Sequence, residues 1–356
     1  MSTFNEIFSD RLKRARIMRN LSMDALCEKI GNAVSKQAIS KYEKGESLPG
    51  SQILILLSQA LDVKPDYFFR ESQFAISNIE FRKKAKMGVK EVEAIKEEIR
   101  DHIERYLEIE DVWGCVPSFA NPVKEMLVAS EDDVYEVVKR LKEAWNIGED
   151  GILSVTDLLE SKNIKVVEIK ADSSFDGLSG YVNNDENMPF VVVNKSFDVE
   201  RLRFTGLHEL GHLVMNLPEE MEKKDKERLC NLFASEMLIS CDIFVDVLGE
   251  RRSDISLQEL KVLQAVYGIS VDALMFKAKT VGVISESKHT SFCIRKNKSL
   301  AFKDAVERSS YRGVEESSRF DRLVYRALAS DMISCSKAAV LLNEPMEEVK
   351  NKLELV

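Results

Sequence analysis

Apolar residues in the first seventy positions return every three or four residues in short runs, the spacing of amphipathic helices. One run spans roughly Asn5 to Arg19, with Ile7, Phe8, Leu12 and Ala15 on one face and Asn20 as its stop. Ser22 can cap a second, which carries Ala25, Leu26 and Ile30 and closes at Gly31-Asn32. Ser35 begins a third that ends at Gly45, Ser51 opens a fourth along Ile53, Leu56, Leu57 and Leu61, and Pro65 starts a short fifth. Farther on, Glu91 to Glu110 forms one long helix with a narrow seam of Val92, Ile95, Ile99, Ile103 and Tyr106. Two more helices follow, near Val134 to Trp145 and Leu153 to Glu160.

The pattern then changes. Ile164 to Ile169, Gly177 to Val182 and Phe190 to Asn194 read as strands, the last two flanking the polar turn Asn183-Asn184-Asp185. Helical spacing returns over Arg201 to Met215, over Glu227 to Ile239, and in two pieces around Tyr267-Gly-Ile-Ser270. Thr290 to Arg295 reads as a short strand, and Phe320 to Leu328, Ser334 to Leu342 and Pro345 to Leu353 as terminal helices. The expected fold class is multidomain, mainly α with a small β-sheet. An all-α head over 1–72 and a charged helical connector over 73–125 precede an α+β domain over 126–285 and a helical region over 286–356.

The second and third helices, joined by a tight turn, follow the helix-turn-helix plan, in which early residues of the second helix reach base edges in the major groove. Those residues are Lys36, Gln37, Ser40 and Lys41; lysine can donate to guanine and glutamine can pair bidentately with adenine. Arg11, Arg14, Arg19 and Lys44 are candidate phosphate contacts. A small helical bundle used for protein contacts is the bland alternative, but Lys36, Gln37 and Lys41 serve no core. The stretch from Leu12 to Phe68, notably Ser35 to Gly45 followed by Leu48-Pro49, resembles the XRE (phage-repressor-like) family. That resemblance implies an operator of double-stranded DNA as partner. The connector seam has two readings: packing on a neighbouring domain, or a homodimer contact that pairs two heads on a two-fold operator. The basic run Arg82-Lys83-Lys84-Ala85-Lys86 reads as solvated surface.

The chain of 356 residues has 44% hydrophobic and 31% charged residues, an ordinary globular composition with room for several cores. A net charge of -9 argues against a surface that binds nucleic acid throughout, but not against one basic face. No apolar run is long enough to span a membrane, and the first residues lack the features of a signal peptide. The six cysteines are scattered without a CxxC pair, which fits reduced thiols and a cytoplasmic location.

The chemistry lies in the centre. His208 and His212 stand four apart, so on a helix both imidazoles leave one face and can grip a single metal ion. Glu209 sits beside the first histidine, placed as general base toward a water that the metal activates. Only four histidines exist in the chain and two fall in this pentapeptide; His102 and His289 read as incidental. A third ligand is required. Glu227, Glu236 and Cys230 on the next helix are candidates, with Glu227 preferred because Asn231, one turn on, can stand beside it and hydrogen-bond a metal ligand. Zinc suits this donor set best, although manganese or iron can fill similar ligands. Tyr181 and Arg203 are the candidates for stabilising an oxyanion, and a substrate can lie extended along the strand near Gly180 to Val182.

The passage from Asp176 to Ser285 resembles the ImmA/IrrE metallopeptidase family. The resemblance is carried by Gly177-Leu-Ser-Gly180, Val193-Asn194, Arg203-Phe204-Thr205, His208-Glu-Leu-Gly-His212 and the Glu-x-x-x-Asn-x-Phe-Ala run from Glu227 to Ala234. It implies a gluzincin-like site, with His208, His212 and Glu227 on zinc and Glu209 as base. It also implies a protein substrate such as a repressor, an antitoxin-like partner or the chain itself, in a stress, mobile-element or phage-defence response. Ile239-Ser240 departs from the Met-Pro that often ends the second helix in that family, which touches a helix terminus and not the ligands. The competing reading is a repressor or antitoxin without proteolysis, whose metal domain is structural or sensory. The last two helices resemble a further helix-turn-helix in shape, but Met346-Glu-Glu-Val-Lys is not basic, so a sensing or docking surface is expected there.

Overall fold

The computed structural model describes residues 4–71, 88–114, 118–182 and 188–353, which divide into two compact units. One comprises 4–71, 88–114 and 318–353, the other 118–182 and 188–317. The basic run Arg82 to Lys86 and the Asn183-Asn184-Asp185 turn lie outside the described residues.

The first unit begins with α1 (Phe4–Met18), α2 (Met23–Lys29), α3 (Lys36–Glu43) and α4 (Ser51–Leu61), followed by a 3-10 helix over Pro65–Phe69. The starts are set by side-chain caps: Ser22 Oγ accepts from the Ala25 N–H and Ser35 Oγ from the Ala38 N–H. Phe8, Leu12, Leu26, Ile39, Leu57, Leu61 and Phe68 then close a fully buried core. Next comes α5 (Val89–Val112). All five seam residues, Val92, Ile95, Ile99, Ile103 and Tyr106, are buried. Helix α1 packs on α5, so the chain itself covers the stripe that a dimer contact would need free.

The second unit starts with α6 (Glu131–Trp145), fixed by a reciprocal cap between Ser130 and Asp133, and α7 (Val155–Ser161). A three-stranded sheet follows, made of β1 (Lys165–Ile169), β2 (Gly177–Tyr181) and β3 (Pro189–Asn194) in the order β1-β3-β2. Parallel pairing sets Val167 opposite Val192, and antiparallel pairing sets Ser179 opposite Val191. Central β3 is buried along its whole length, which explains its unbroken apolar run. Then come α8 (Val199–Val214), α9 (Lys223–Leu238), α10 (Cys241–Leu248), α11 (Leu257–Tyr267), α12 (Val271–Thr280), α13 (Glu286–Lys298) and α14 (Leu300–Glu307).

Thr290 to Arg295, expected as a strand, lies inside α13. Ser285 caps that helix, and the hydroxyls of Thr290 and Ser291 return to carbonyls four residues back, so these β-prone side chains are absorbed by helical bonding.

The final helices, α15 (Arg319–Ala329), α16 (Cys335–Leu342) and α17 (Met346–Lys352), belong to the first unit. Phe320, Val324, Leu341 and Val349 pack around Tyr106 and Ile109 of α5. Arg319 donates to Glu110 at 2.8 Å, and the Arg105 guanidinium to the Leu341 carbonyl at 2.7 Å. The region expected as one piece over 286–356 is therefore shared between the units. Helix α15 carries a steep apolar face that α5 covers. No helix among the described residues is long and apolar enough to cross a membrane.

Candidate metal centre

Two helices carry the centre, and the sheet fixes their placement. Asp198 caps α8 by accepting from the Arg201 N–H at 3.1 Å. Just before it, the wholly buried Asn194 amide ties the end of β3 to the loop between β1 and β2. Its Nδ2 donates to the carbonyls of Ala171, Asp172 and Phe175, while Oδ1 accepts from the Ala171 and Ser196 N–H groups. Helix α8 then lies close along β2. A Cβ at Gly177 would come within 2.5 Å of Thr205 Cγ2 and 2.7 Å of the Val192 carbonyl, so only glycine permits this approach. On the facing side, Gly211 lets Phe233 of α9 come near, 3.1 Å from where a Cβ would stand.

This packing brings His208, His212 and Glu227 together, with one ligand atom of each within 4.8 Å of the others. Nε2 of His208 is 3.3 Å from Glu227 Oε2, and Nε2 of His212 is 3.6 Å from Oε1. Asn231 Oδ1 lies 2.9 Å from Nδ1 of His208. A carbonyl oxygen only accepts, so that contact places the proton of a neutral ring on Nδ1 and turns that ring's Nε2 lone pair toward a carboxylate oxygen. In that neutral form, facing electron pairs at such distances can share a cation between them. Ligands about 2.0–2.1 Å from a tetrahedral zinc stand roughly 3.4 Å apart, close to both histidine–Glu227 distances here. The donor set therefore fits a divalent metal.

Glu209 is buried on the neighbouring stripe of α8, toward the sheet. Ser179 Oγ donates to its Oε2 at 2.9 Å, a contact that the Gly177-Leu-Ser-Gly180 run did not reveal before the strand was laid on the helix. Tyr181 Oη, two residues along β2, donates to the Leu213 carbonyl at 2.9 Å. Thus β2 presents Gly177, Ser179 and Tyr181 to Thr205, Glu209 and Leu213, each one turn of α8 apart.

Other candidates lie elsewhere. Arg203 is fully buried against Glu315 and the carbonyls of Ile152, Tyr267 and Gly268, which removes it as an oxyanion donor. Glu315 in turn accepts from the Val155 and Thr156 N–H groups at the start of α7. Glu236 is buried and bound to Lys277 Nζ and the Cys241 N–H, both at 2.7 Å. Cys230, the third ligand candidate, places Sγ 3.3 Å from Nδ1 of His212 and not among the converging ligand atoms.

In the head, Lys36, Gln37 and Lys41 are exposed on α3 with Lys44 just beyond it, and Ser40 is half-buried. Lys36 pairs with Asp24 at 2.7 Å. Arg11 and Arg14, expected as phosphate contacts, face inward. Arg11 Nη1 meets Glu104 Oε2 at 2.6 Å, and Arg14 Nη2 meets Glu104 Oε1 at 2.8 Å with Nε on Glu97 at 2.9 Å. At 2% and 7% exposure neither reaches a phosphate, because acidic α5 covers that face of α1. Arg19 is tied to Asp62 and the Leu61 carbonyl.

Fold and site together define a two-part protein, a helix-turn-helix head and a domain whose His-Glu-x-x-His helix and Glu227 could hold a metal ion. Comparison with known proteins agrees. Residues 12–68 match the family described as Helix-turn-helix, and residues 159–279 match the IrrE N-terminal-like domain; the chain joins the two. Over 61 residues it is 43% identical to the uncharacterised HTH-type transcriptional regulator y4aM of Sinorhizobium fredii, covering 17% of this chain and 41% of that one. A second regulator of that organism, y4wC, is 40% identical over 62 residues, 17% and 42% of the two chains. The chain thus spans about two fifths of the length of the curated relatives it matches.

Proposed function

We propose that this protein is a DNA-binding transcription regulator whose second unit is a zinc-dependent endopeptidase. Its substrate is a repressor, an antitoxin-like protein or a copy of the chain itself, and cutting it relieves repression. The observation that carries this reading is the convergence of His208, His212 and Glu227 beside Glu209, at the margin of a strand with an open edge. A divalent cation there supplies a Lewis acid for a peptide carbonyl and lowers the pKa of a water.

The chain's own residues do the rest. The Val182 N–H bonds to the Met188 carbonyl, and the Asn194 N–H to the Asp176 carbonyl. By antiparallel alternation, Leu178, Gly180 and Val182 turn their polar backbone toward β3, while Gly177, Ser179 and Tyr181 turn theirs outward. Among the described residues no strand pairs on that side, so an extended peptide can add there through main-chain hydrogen bonds. Glu209 takes a proton from the attacking water and passes it to the leaving amine. Ser179 steadies Oε2 of Glu209 during that exchange. The exposed residues of α3 would read the operator, with Gln37 on a base edge and Lys41 and Lys44 near phosphates.

Purified zinc-loaded protein, incubated with the products of neighbouring genes and with itself, tests this reading by mass spectrometry of fragments. Glu209→Gln should reduce cleavage by about 100-fold or more, while zinc content and DNA binding stay unchanged. Cleavage at the parent rate in that variant refutes the assignment; repression without any fragment points to the non-proteolytic regulator.

A further inference from the structure

The two metal-facing imidazoles are held from behind by consecutive residues of α9. Asn231 serves Nδ1 of His208, and Cys230 Sγ lies 3.3 Å from Nδ1 of His212. We infer that Cys230 is a positioning residue of the centre, its sulfur accepting the Nδ1–H of His212 and so directing the Nε2 lone pair toward the metal. This rests on the metal-centre reading above. It assigns Cys230 neither a place on the metal nor a mere core role.

Two features separate it from a passive thiol. Cys230 is wholly buried, and the residue next to it on α9 performs the equivalent task for the other histidine. The contact also has one productive direction. If the thiol donated to Nδ1, the neutral ring would carry its proton on Nε2 and could not bind metal there. Metal binding therefore requires sulfur as acceptor. A thiol accepts weakly compared with an amide oxygen, so the two histidines are supported unequally. Of the two rings, His212 depends on the softer support.

The test measures zinc affinity of the full-length chain by competition with a chromophoric chelator. It compares the parent, Cys230→Ala, Cys230→Ser and Asn231→Ala, each first checked for an unchanged melting profile with zinc bound. Loss of an outer partner typically costs 10–100-fold in metal affinity, so Cys230→Ala should weaken binding about tenfold, with Asn231→Ala costing more. Serine keeps an acceptor and should restore most of the affinity. Nitrogen-15 spectra of the zinc-loaded imidazoles supply a signature that packing alone would not move. The Nδ1 proton of His212 should be shifted downfield in the parent and in the serine variant, but not in the alanine one. Should alanine fail the melting check, the serine variant and these spectra decide.

Parent-like affinity in Cys230→Ala, equal losses in both Cys230 variants, or an Nε2-protonated His212 in the zinc-loaded parent each overturns the inference. A parent that binds no zinc at all overturns the metal centre itself, a separate result.

Discussion

Each unit gathers ionisable side chains where two helices meet, one cluster buried and the other half-buried, and the two have different chemistry. Between α1 and α5, the guanidinium groups of Arg11, Arg14 and Arg70 meet the carboxylates of Glu104 and Asp101, with Arg70 on Asp101 at 2.7 Å. Donors face acceptors there, so opposite charges pair within the cluster, although Nη2 of Arg11 and Nη2 of Arg14 are left without a hydrogen bond, and it works as a clamp between α1 and α5. Between α8 and α9, the Nε2 atoms of two imidazoles face a carboxylate. On the proposed function those nitrogens are acceptors facing acceptors, and a metal ion completes the cluster. Burial and proximity alone do not mark a functional site; the balance of donors and acceptors does.

The comparison breaks most sharply at the ligands. His208→Ala or Glu227→Ala should weaken zinc binding beyond the roughly 100-fold cost of losing an outer partner. Zinc that binds only the folded state should raise the thermal transition of the second unit and leave that of the first in place, as separately resolved calorimetric peaks would report. If both ligand variants bound zinc like the parent, the pairing of acceptors would have some other explanation and the contrast between the units would collapse.

Next in size is the clamp. Glu104→Gln leaves Arg11, Arg14 and Arg70 short of charge inside the first unit, and breaking such a buried pair costs about 3–5 kcal/mol. Denaturant unfolding of that unit checks the figure, and zinc affinity should not move. The clamp is also acid-labile. Burial pushes the Asp101 carboxyl up, but Arg105 and Arg70, and then Arg11, outweigh it and hold it well below its usual range. Glu104 is likewise lowered, since Arg11 and Arg14 outweigh its burial. Folded values lie below the unfolded ones, so this stability is complete above the ordinary carboxyl values of 3.8 and 4.5 and is lost as pH falls below them. Unfolding midpoints of the first unit should therefore decline steeply below about pH 4. Glu104→Gln should flatten part of that slope; an unchanged slope would argue that the clamp contributes nothing in acid.

The clamp also marks where the sequence stopped being legible. The helix-turn-helix order, the three strands and the helical pairing of His208 with His212 follow from local periodicity and caps, which a single chain displays. Glu227 could be singled out only because a turn of helix separates it from Asn231. What local pattern cannot show is which element covers which face. Arg11 and Arg14 look like surface cations until acidic α5 is laid on α1. The seam from Val92 to Tyr106 reads equally as a dimer contact or as packing on a neighbour until α1 and α15 are seen to cover it. Thr290 to Arg295 carries strand-prone residues, and its capped helical surroundings prevail. Ser179 and Cys230 matter only through contacts between elements far apart in sequence.

The smallest expected effects lie on the exposed face of α3, where the contrast between inward and outward basic residues can be sharpened. Lys41 is exposed and Lys44 stands at the helix end, whereas Lys36 is held by Asp24 in an exposed pair worth at most about 1 kcal/mol. Binding to a mixed-sequence duplex, followed by fluorescence anisotropy across salt concentrations, reads phosphate contacts without any need for the operator. Lys41→Ala should lower affinity a few-fold and reduce the slope of log affinity against log salt by about 1. Arg14→Met should leave the slope unchanged at temperatures where the head stays folded, because its guanidinium is committed to Glu104 and Glu97. An equal fall in slope for both variants would mean that Arg14 leaves its carboxylates for DNA, and the inward clamp would then be a feature of the free protein alone.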